Sequence, residues 1–543
     1  MTETVRKPIE ESQRQRWRRF FLALSWSIGL SACAAPGAVH HIVKSDAAQH
    51  HEVTTDRGVI RGTSAPEGSA FLGIPFSAPP VGPLRFAPPQ PAAAWAGVRD
   101  ATKLRASCPQ LVPAREKSED CLYLNVYTPA DIKAGDRLPV LVWLYGGGLS
   151  FGSNEQYDGS RLAQRRNVVV VVPNYRLGAL GFFAHPLLRG PDEGNYGLLD
   201  QRAALEWVQR NIEPFGGDPS RVTLFGESAG ATSACTHMVS PGSRGLFHRI
   251  ILQSDTCIFP EQWISRAGAE AGGIAMARDL GCNGADALTC LRDLPVGELV
   301  KAKSHRWGNV GRDSWSPMVG GEVLPDKPRT LFARGQDAPV PLLMGSNRDE
   351  GRLFANLLSL TLAWTSRKGY EREVGRAIRS DILDEVLGEY ADEAERSYYH
   401  AYADIITDSR FACPMLSMHR LRAGRAADYV YEFDDPNARS AAPRVPFTPS
   451  QGSYHAAELP YVFGHRFLFA SPDDWSAEQA ELSDRIQRYW TAFAASGQPD
   501  VDGLADWPTF DSENPLRLSP EGESLIIDFA ARHRCEFWNS MGY

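Results

Sequence analysis

The sequence predicts an α/β fold, a mostly parallel central sheet with helices on both faces and helical insertions over one end, and three observations predict it. Short apolar runs recur at wide spacing: Val140-Leu141-Val142-Trp143-Leu144, Val222-Thr223-Leu224-Phe225, Arg249-Ile250-Ile251-Leu252 and Val340-Pro341-Leu342-Leu343-Met344. Near-continuous apolar runs mark strands buried on both faces, the condition of a parallel sheet. The runs end beside glycine-rich or polar stretches, where an open α/β sheet builds its crevice at the carboxyl ends of its strands. Glu261 to Val300 and Ser366 to Met418 read as mostly helical insertions that roof the crevice or cover the sheet.

The N-terminus carries a separate message. Arg14, Arg16, Arg18 and Arg19 precede an apolar run from Phe20 to Leu30, too short to span a bilayer and laid out as a signal peptide over residues 1–32. Leu30-Ser31-Ala32-Cys33 resembles a bacterial lipobox, with Cys33 acylated after cleavage, and residues 33–52 read as a tether. Arg18-Arg19-Phe20-Phe21-Leu22 partly resembles a twin-arginine signal, although Trp17 and Ala23 depart from it. The expectation is an exported protein, in a bacterial periplasm or on an outer membrane as a lipoprotein, or else secreted. Residues 53–543 then form one domain, because no linker or repeat divides them.

Val140–Leu144 runs into Tyr145-Gly146-Gly147-Gly148-Leu149, whose bare backbone leaves N–H groups free to point at a developing oxyanion. Val222–Phe225 feeds into Gly226-Glu227-Ser228-Ala229-Gly230, a Gly-x-Ser-x-Gly pentapeptide. At ordinary residue usage chance supplies that pattern in about one chain in five of this length, so context must carry it. Following a strand and preceding a helix it is a nucleophile elbow, a strained turn that presents the serine hydroxyl.

Further blocks complete the pattern. They include Phe71-Leu72-Gly73-Ile74-Pro75-Phe76, Pro83-Leu84-Arg85-Phe86, Ser118-Glu119-Asp120-Cys121-Leu122-Tyr123-Leu124-Asn125, Asn174-Tyr175-Arg176-Leu177-Gly178 and Gly194-Asn195-Tyr196-Gly197-Leu198-Leu199-Asp200-Gln201. From about Val53 to the C-terminus the chain resembles the type-B carboxylesterase and cholinesterase family of α/β-hydrolases. The resemblance implies a triad acid in Asn347-Arg348-Asp349-Glu350-Gly351, at Glu350 with Asp349 as its competitor. It implies a histidine, His455, in Tyr454-His455-Ala456-Ala457-Glu458-Leu459-Pro460-Tyr461-Val462-Phe463, where Ala456 replaces the usual glycine. Ser228, Glu350 and His455 follow the chain order of this fold.

The same resemblance implies N–H donors from Gly147, Gly148 and Ala229, and a supporting polar network through Glu227 and Ser254. It pairs Cys108 with Cys121, Cys282 with Cys290 and Cys413 with Cys535. Cys235 and Cys257 are left to pair or to stay as buried thiols. The short loop between Cys108 and Cys121 has no counterpart of the choline-binding tryptophan, and Leu353 replaces an aromatic of that site, which argues against a choline ester. Gly311 and Asp313 align with bulky acyl-pocket residues and imply a roomier, more polar pocket. Arg352 could face it and favour an anionic acyl group.

Nine cysteines, eight without Cys33, suit an oxidising compartment. A net charge of −8 without a basic tract beyond the N-terminus argues against nucleic acid. No Cys/His cluster has zinc-ligand spacing, and serine chemistry needs no metal or other cofactor. The expected function is therefore hydrolysis of small or medium carboxylic esters through an acyl-enzyme. A specialised esterase for anionic, lipid or toxin esters is the alternative, and a non-catalytic adhesion protein the remote one. A membrane enters only through the lipid anchor; the oligomeric state is not legible.

Overall fold

The computed structural model describes residues 49–543 apart from 66–67, 134, 191–192, 260–262, 306–314, 442–444 and 446–447. Thirteen strands of the described residues form one sheet. In chain order they are β1 (Gln49–Thr55), β2 (Gly58–Ala65), β3 (Gly68–Pro75), β4 (Val98–Asp100), β5 (Tyr123–Thr128), β6 (Leu138–Leu144), β7 (Val169–Pro173), β8 (Gly217–Glu227), β9 (Arg249–Gln253), β10 (Leu342–Asn347), β11 (Asp428–Phe433), β12 (Leu516–Ser519) and β13 (Gly522–Leu525).

Across the sheet the order is β1-β2-β3-β5-β7-β6-β8-β9-β10-β11-β12-β13, with β4 beside β2. The block from β7 through β12 is parallel. Antiparallel pairs extend it at both ends, through β1, β2, β3 and β5 on one side and β13 on the other. The parallel strands form where the apolar runs are densest: Val140, Val142, Val222, Leu224, Ile250 and Leu342 are all fully buried, as strands covered on both faces must be.

Register explains why distant loops meet. Leu144 pairs with Gly226, Glu227 with Gln253, and Gln253 with Gly345. The carboxyl ends of β6, β8, β9 and β10 therefore stand in one row, carrying the Gly146–Gly148 loop, Ser228, Ser254 and Glu350.

Helices cover both faces, among them α1 (Tyr196–Asn211), α2 (Ala229–Val239), α3 (Arg266–Asp279), α4 (Gly351–Leu358), α5 (Tyr398–Ile406), α6 (Cys413–Arg422), α7 (Ala477–Ser496) and α8 (Cys535–Ser540). Both stretches read as helical insertions are largely helical. In the second, a π-helical segment, Thr407–Ala412, joins α5 to α6 and brings Phe411 against His455, with ring centroids 5.0 Å apart. Among the described residues four disulfides are present: Cys108–Cys121, Cys282–Cys290, Cys413–Cys535 and also Cys235–Cys257. Disulfides fit an oxidising compartment. Among the described residues no helix is long and apolar enough to cross a membrane.

One boundary moves. β1 begins at Gln49 and pairs Gln49 with Ser64 through Thr55 with Gly58, so residues 49–52 belong to the sheet and not to the tether; their backbone groups are taken up by β2. The signal peptide, Cys33, Gly311 and Asp313 lie outside the described residues.

Candidate active site

Ser228 is half-buried between buried neighbours and has φ 55°, ψ −127° at the junction of β8 and α2. Its N–H donates to Gln253 O at 2.9 Å. The flanking glycines are required by contact: a Cβ on Gly230 would lie 1.9 Å from Leu144 O, and one on Gly226 2.5 Å from Gly230 C. Strand β6, the elbow and the start of α2 are thus packed backbone to backbone. A side chain on Gly146 would meet Ser228 Cβ at 3.0 Å, which sets the glycine loop directly beside the serine. Gly147 and Gly148 have φ of +106° and +58°. Ala229 opens α2, where N–H groups have no intrahelical partner.

The imidazole is held from two sides. His455 Nδ1 is 2.7 Å from Glu350 Oε2, and Nε2 is 3.2 Å from Glu227 Oε1. Glu350 is fully buried and also accepts the Asn347 N–H at 2.8 Å. Phe354 of α4 and Phe411 lie at 5.2 and 5.0 Å from the ring. Asp349 is engaged elsewhere: it pairs with Arg348 at 2.9 Å and Arg352 at 3.0 Å and accepts the Ser453 N–H at 3.0 Å.

A buried acid network underlies the pair. Glu458, 1% exposed, accepts from Gln253 Nε2 at 2.9 Å and from Asn347 Nδ2 at 2.7 Å, while Trp490 Nε1 donates to Gln253 Oε1 at 3.1 Å. Asp255 accepts from Thr232 Oγ1 at 2.8 Å and from Thr256 N at 2.7 Å. Burial pushes Glu227 up to about 8, reinforced by Glu458, Glu350 and Asp255 and opposed by His455. Burial alone would lower His455, but Glu227, Glu350 and Glu458 outweigh it and raise it to about 9. Burial likewise raises Asp255 to about 7.

Sequence reasoning named Ser228, Glu350, His455, Gly147, Gly148, Ala229 and Glu227; the structure brings Glu350 and Glu227 against His455 and sets Gly146 beside Ser228. The same reasoning missed Gln253, Asn347, Glu458, Asp255 and the two phenylalanines. Asn347 and Glu458 stand inside the quoted triad blocks, so proximity in sequence was the available signal. Two expectations change. The Ser254 hydroxyl is buried with no hydrogen-bond partner among the described residues; the residue acts through its backbone, at φ +54°, donating to Gly345 O at 2.8 Å. Arg352 gives no support for an anionic acyl subsite, because its charge is matched by Asp349 three residues back and its Nη1 donates to Ser450 O at 3.4 Å. Leu353 is half-buried against the core.

A serine on a strand-turn-helix elbow, beside an open glycine loop and an imidazole-carboxylate pair on a mostly parallel sheet, defines the class of α/β-hydrolases. Within that class the chain belongs to the carboxylesterase family, whose model matches residues 49–538. It is 37% identical over 526 residues to a cocaine esterase of Oryctolagus cuniculus, covering 89% of this chain and 94% of that one. It is 37% identical over 499 residues to an acylcarnitine hydrolase of Mus musculus, covering 86% of each. An acetylcholinesterase of Bungarus fasciatus is 36% identical over 538 residues, covering 90% of this chain and 86% of the relative. The protein is a serine hydrolase of carboxylic esters.

Proposed function

We propose that this esterase works through Ser228, His455 and Glu350 on small or medium carboxylic esters. The Glu350–His455 contact of 2.7 Å, formed behind a serine held in the elbow geometry, carries the reading. His455 Nε2 takes the hydroxyl proton as Ser228 Oγ attacks the carbonyl carbon, then gives it to the departing alkoxide. Glu350 keeps Nδ1 protonated and stabilises the imidazolium. N–H groups of Gly147, Gly148 and Ala229 receive the oxyanion, each worth roughly 3 kcal/mol of barrier. Water then repeats the cycle on the acyl-enzyme and releases the acid.

Relatives named as a cocaine esterase and an acylcarnitine hydrolase support a broad ester class, the pocket lining deciding among its members. The chain is an exported protein, its first 32 residues a signal peptide, Cys33 a lipidation site, and residues 53–543 one hydrolase domain together with the strand residues before it. Hydrolysis of p-nitrophenyl esters from acetate to long acyl chains tests the activity: turnover by the mature chain and none by Ser228→Ala is expected, and turnover surviving in the variant refutes it. For export, a bacterial host fed labelled palmitate should label the wild type and not Cys33→Ala; equal labelling removes the anchor.

A further inference from the structure

Ser228 and the helix it opens are fastened to the end of β9 and the segment after it by three contacts about one helical turn apart. Ser228 N–H donates to Gln253 O at 2.9 Å. One turn along α2, Thr232 Oγ1 donates to Asp255 Oδ2 at 2.8 Å. One turn further, Cys235 is bonded to Cys257, and the Cys257 N–H meets Cys235 Sγ at 3.0 Å. Positions 228, 232 and 235 share one face of a helix, since residues four and seven apart stack. Residues 253, 255 and 257 supply the facing partners where the chain leaves β9 and turns at Ser254, φ +54°.

The segment is itself anchored. Gln253 is bonded to Glu458 and Trp490, Ser254 N–H donates to Gly345 O at 2.8 Å, and Trp263 Nε1 donates to Cys257 O at 3.0 Å. Cys235 and Cys257 are fully buried and Thr232 is 2% exposed. An elbow serine sits in a strained conformation that its surroundings must enforce. Here the enforcement falls on the side of the elbow away from β6, where Gly230 already abuts Leu144.

We propose that the Thr232–Asp255 hydrogen bond and the Cys235–Cys257 disulfide form a staple that positions the Ser228 elbow, making Thr232, Asp255, Cys235 and Cys257 positioning residues for acyl transfer. The inference rests on Ser228 being the nucleophile. The staple leaves substrate binding alone and acts on the orientation of Oγ toward the carbonyl carbon, where a displacement of about 1 Å costs on the order of a hundredfold in rate.

The test compares purified full mature chains on p-nitrophenyl acetate, with kcat, KM and the pre-steady-state acylation rate as readouts and thermal melting as the check on folding. Cys235→Ser with Cys257→Ser should lower kcat and acylation about tenfold or more, with KM within about twofold. Cys282→Ser with Cys290→Ser, which removes a disulfide of sequence separation 8 that joins neither α2 nor the segment after β9, should lower the melting temperature without lowering kcat. If the first pair does not fold, Thr232→Val, which keeps the shape and deletes the hydroxyl, should lower kcat by about threefold to tenfold, and Thr232→Ser should restore it. A folded Cys235/Cys257 variant, or a Thr232→Val variant, with wild-type acylation overturns the staple. Ser228→Ala, run alongside, separates the two claims: turnover surviving there removes the nucleophile, whereas its loss with intact Cys and Thr variants removes only the staple.

Discussion

Replacing Glu227 by Gln should move the acid limb of the pH–rate profile to lower pH. Neutral imidazole is the base, so kcat/KM rises as pH climbs through the apparent pKa of the Glu227–His455 pair. His455 stands at about 9 where its ordinary value is 6.5. The carboxylates around it therefore favour the imidazolium by roughly 3 kcal/mol net of burial. Glu227 is the foremost of them and sits 3.2 Å from Nε2, with Glu350 and Glu458 behind it. Gln keeps the shape and removes the charge, and an opposite charge at that range is worth about one to three pH units. The limb should fall by at least about one unit, the KM for a neutral acetate ester changing less than the limb. The assay is kcat/KM from pH 5 to 10 on a neutral aryl acetate, wild type against Glu227→Gln at constant ionic strength. An unmoved limb, or one displaced upward, refutes the idea that Glu227 governs the proton on His455.

Gly230→Ala would set a methyl 1.9 Å from Leu144 O; backbone cannot yield there, and a loss of about 3 kcal/mol or more is expected from denaturant melts. His533 is buried between Asp408 at 2.6 Å and Glu432 at 3.0 Å; burial opposes its charge, the two carboxylates prevail, and it rises to about 9. Because the folded value is raised, its contribution is complete below the unfolded value near 6.5 and is lost as pH rises through about 9. The stability drop between pH 7 and 10 should be smaller in His533→Gln by roughly 2 to 3 kcal/mol, and an equal drop would count against this clamp. Cys413–Cys535 closes a loop of 122 residues, so Cys413→Ala with Cys535→Ala should cost up to about 5 kcal/mol in reversible unfolding; a melt unchanged from wild type would contradict it.

The parts of the fold that were legible are those where local chemistry leaves little choice. β6, β8, β9 and β10 are buried on both faces along their middles, so their apolar stretches stand out as runs. Gly226 and Gly230 must lack side chains because Leu144 and each other occupy the space. The edge strands β1 and β13 carry no such constraint, and β1 reached into the expected tether. Glu458, Gln253 and Asp255 are ordinary polar residues in sequence, and only the row of strand ends brings them under His455. Arg352 is instructive in the other direction: it follows Asp349 by three residues at the start of α4, the spacing at which a helix brings opposite charges together. That local pairing claims the guanidinium. Cys235 and Cys257, 22 residues apart, could not be paired from spacing, because the bond depends on α2 lying against the segment after β9.

The central claim, acyl transfer through Ser228, is tested most directly by trapping. A fluorophosphonate added to the mature enzyme should give one adduct, mapped by peptide mass to the tryptic fragment containing Ser228, with activity lost in proportion to labelling and no adduct in Ser228→Ala. Stoichiometric labelling at another serine, or full turnover by a chain already labelled at Ser228, would contradict the account.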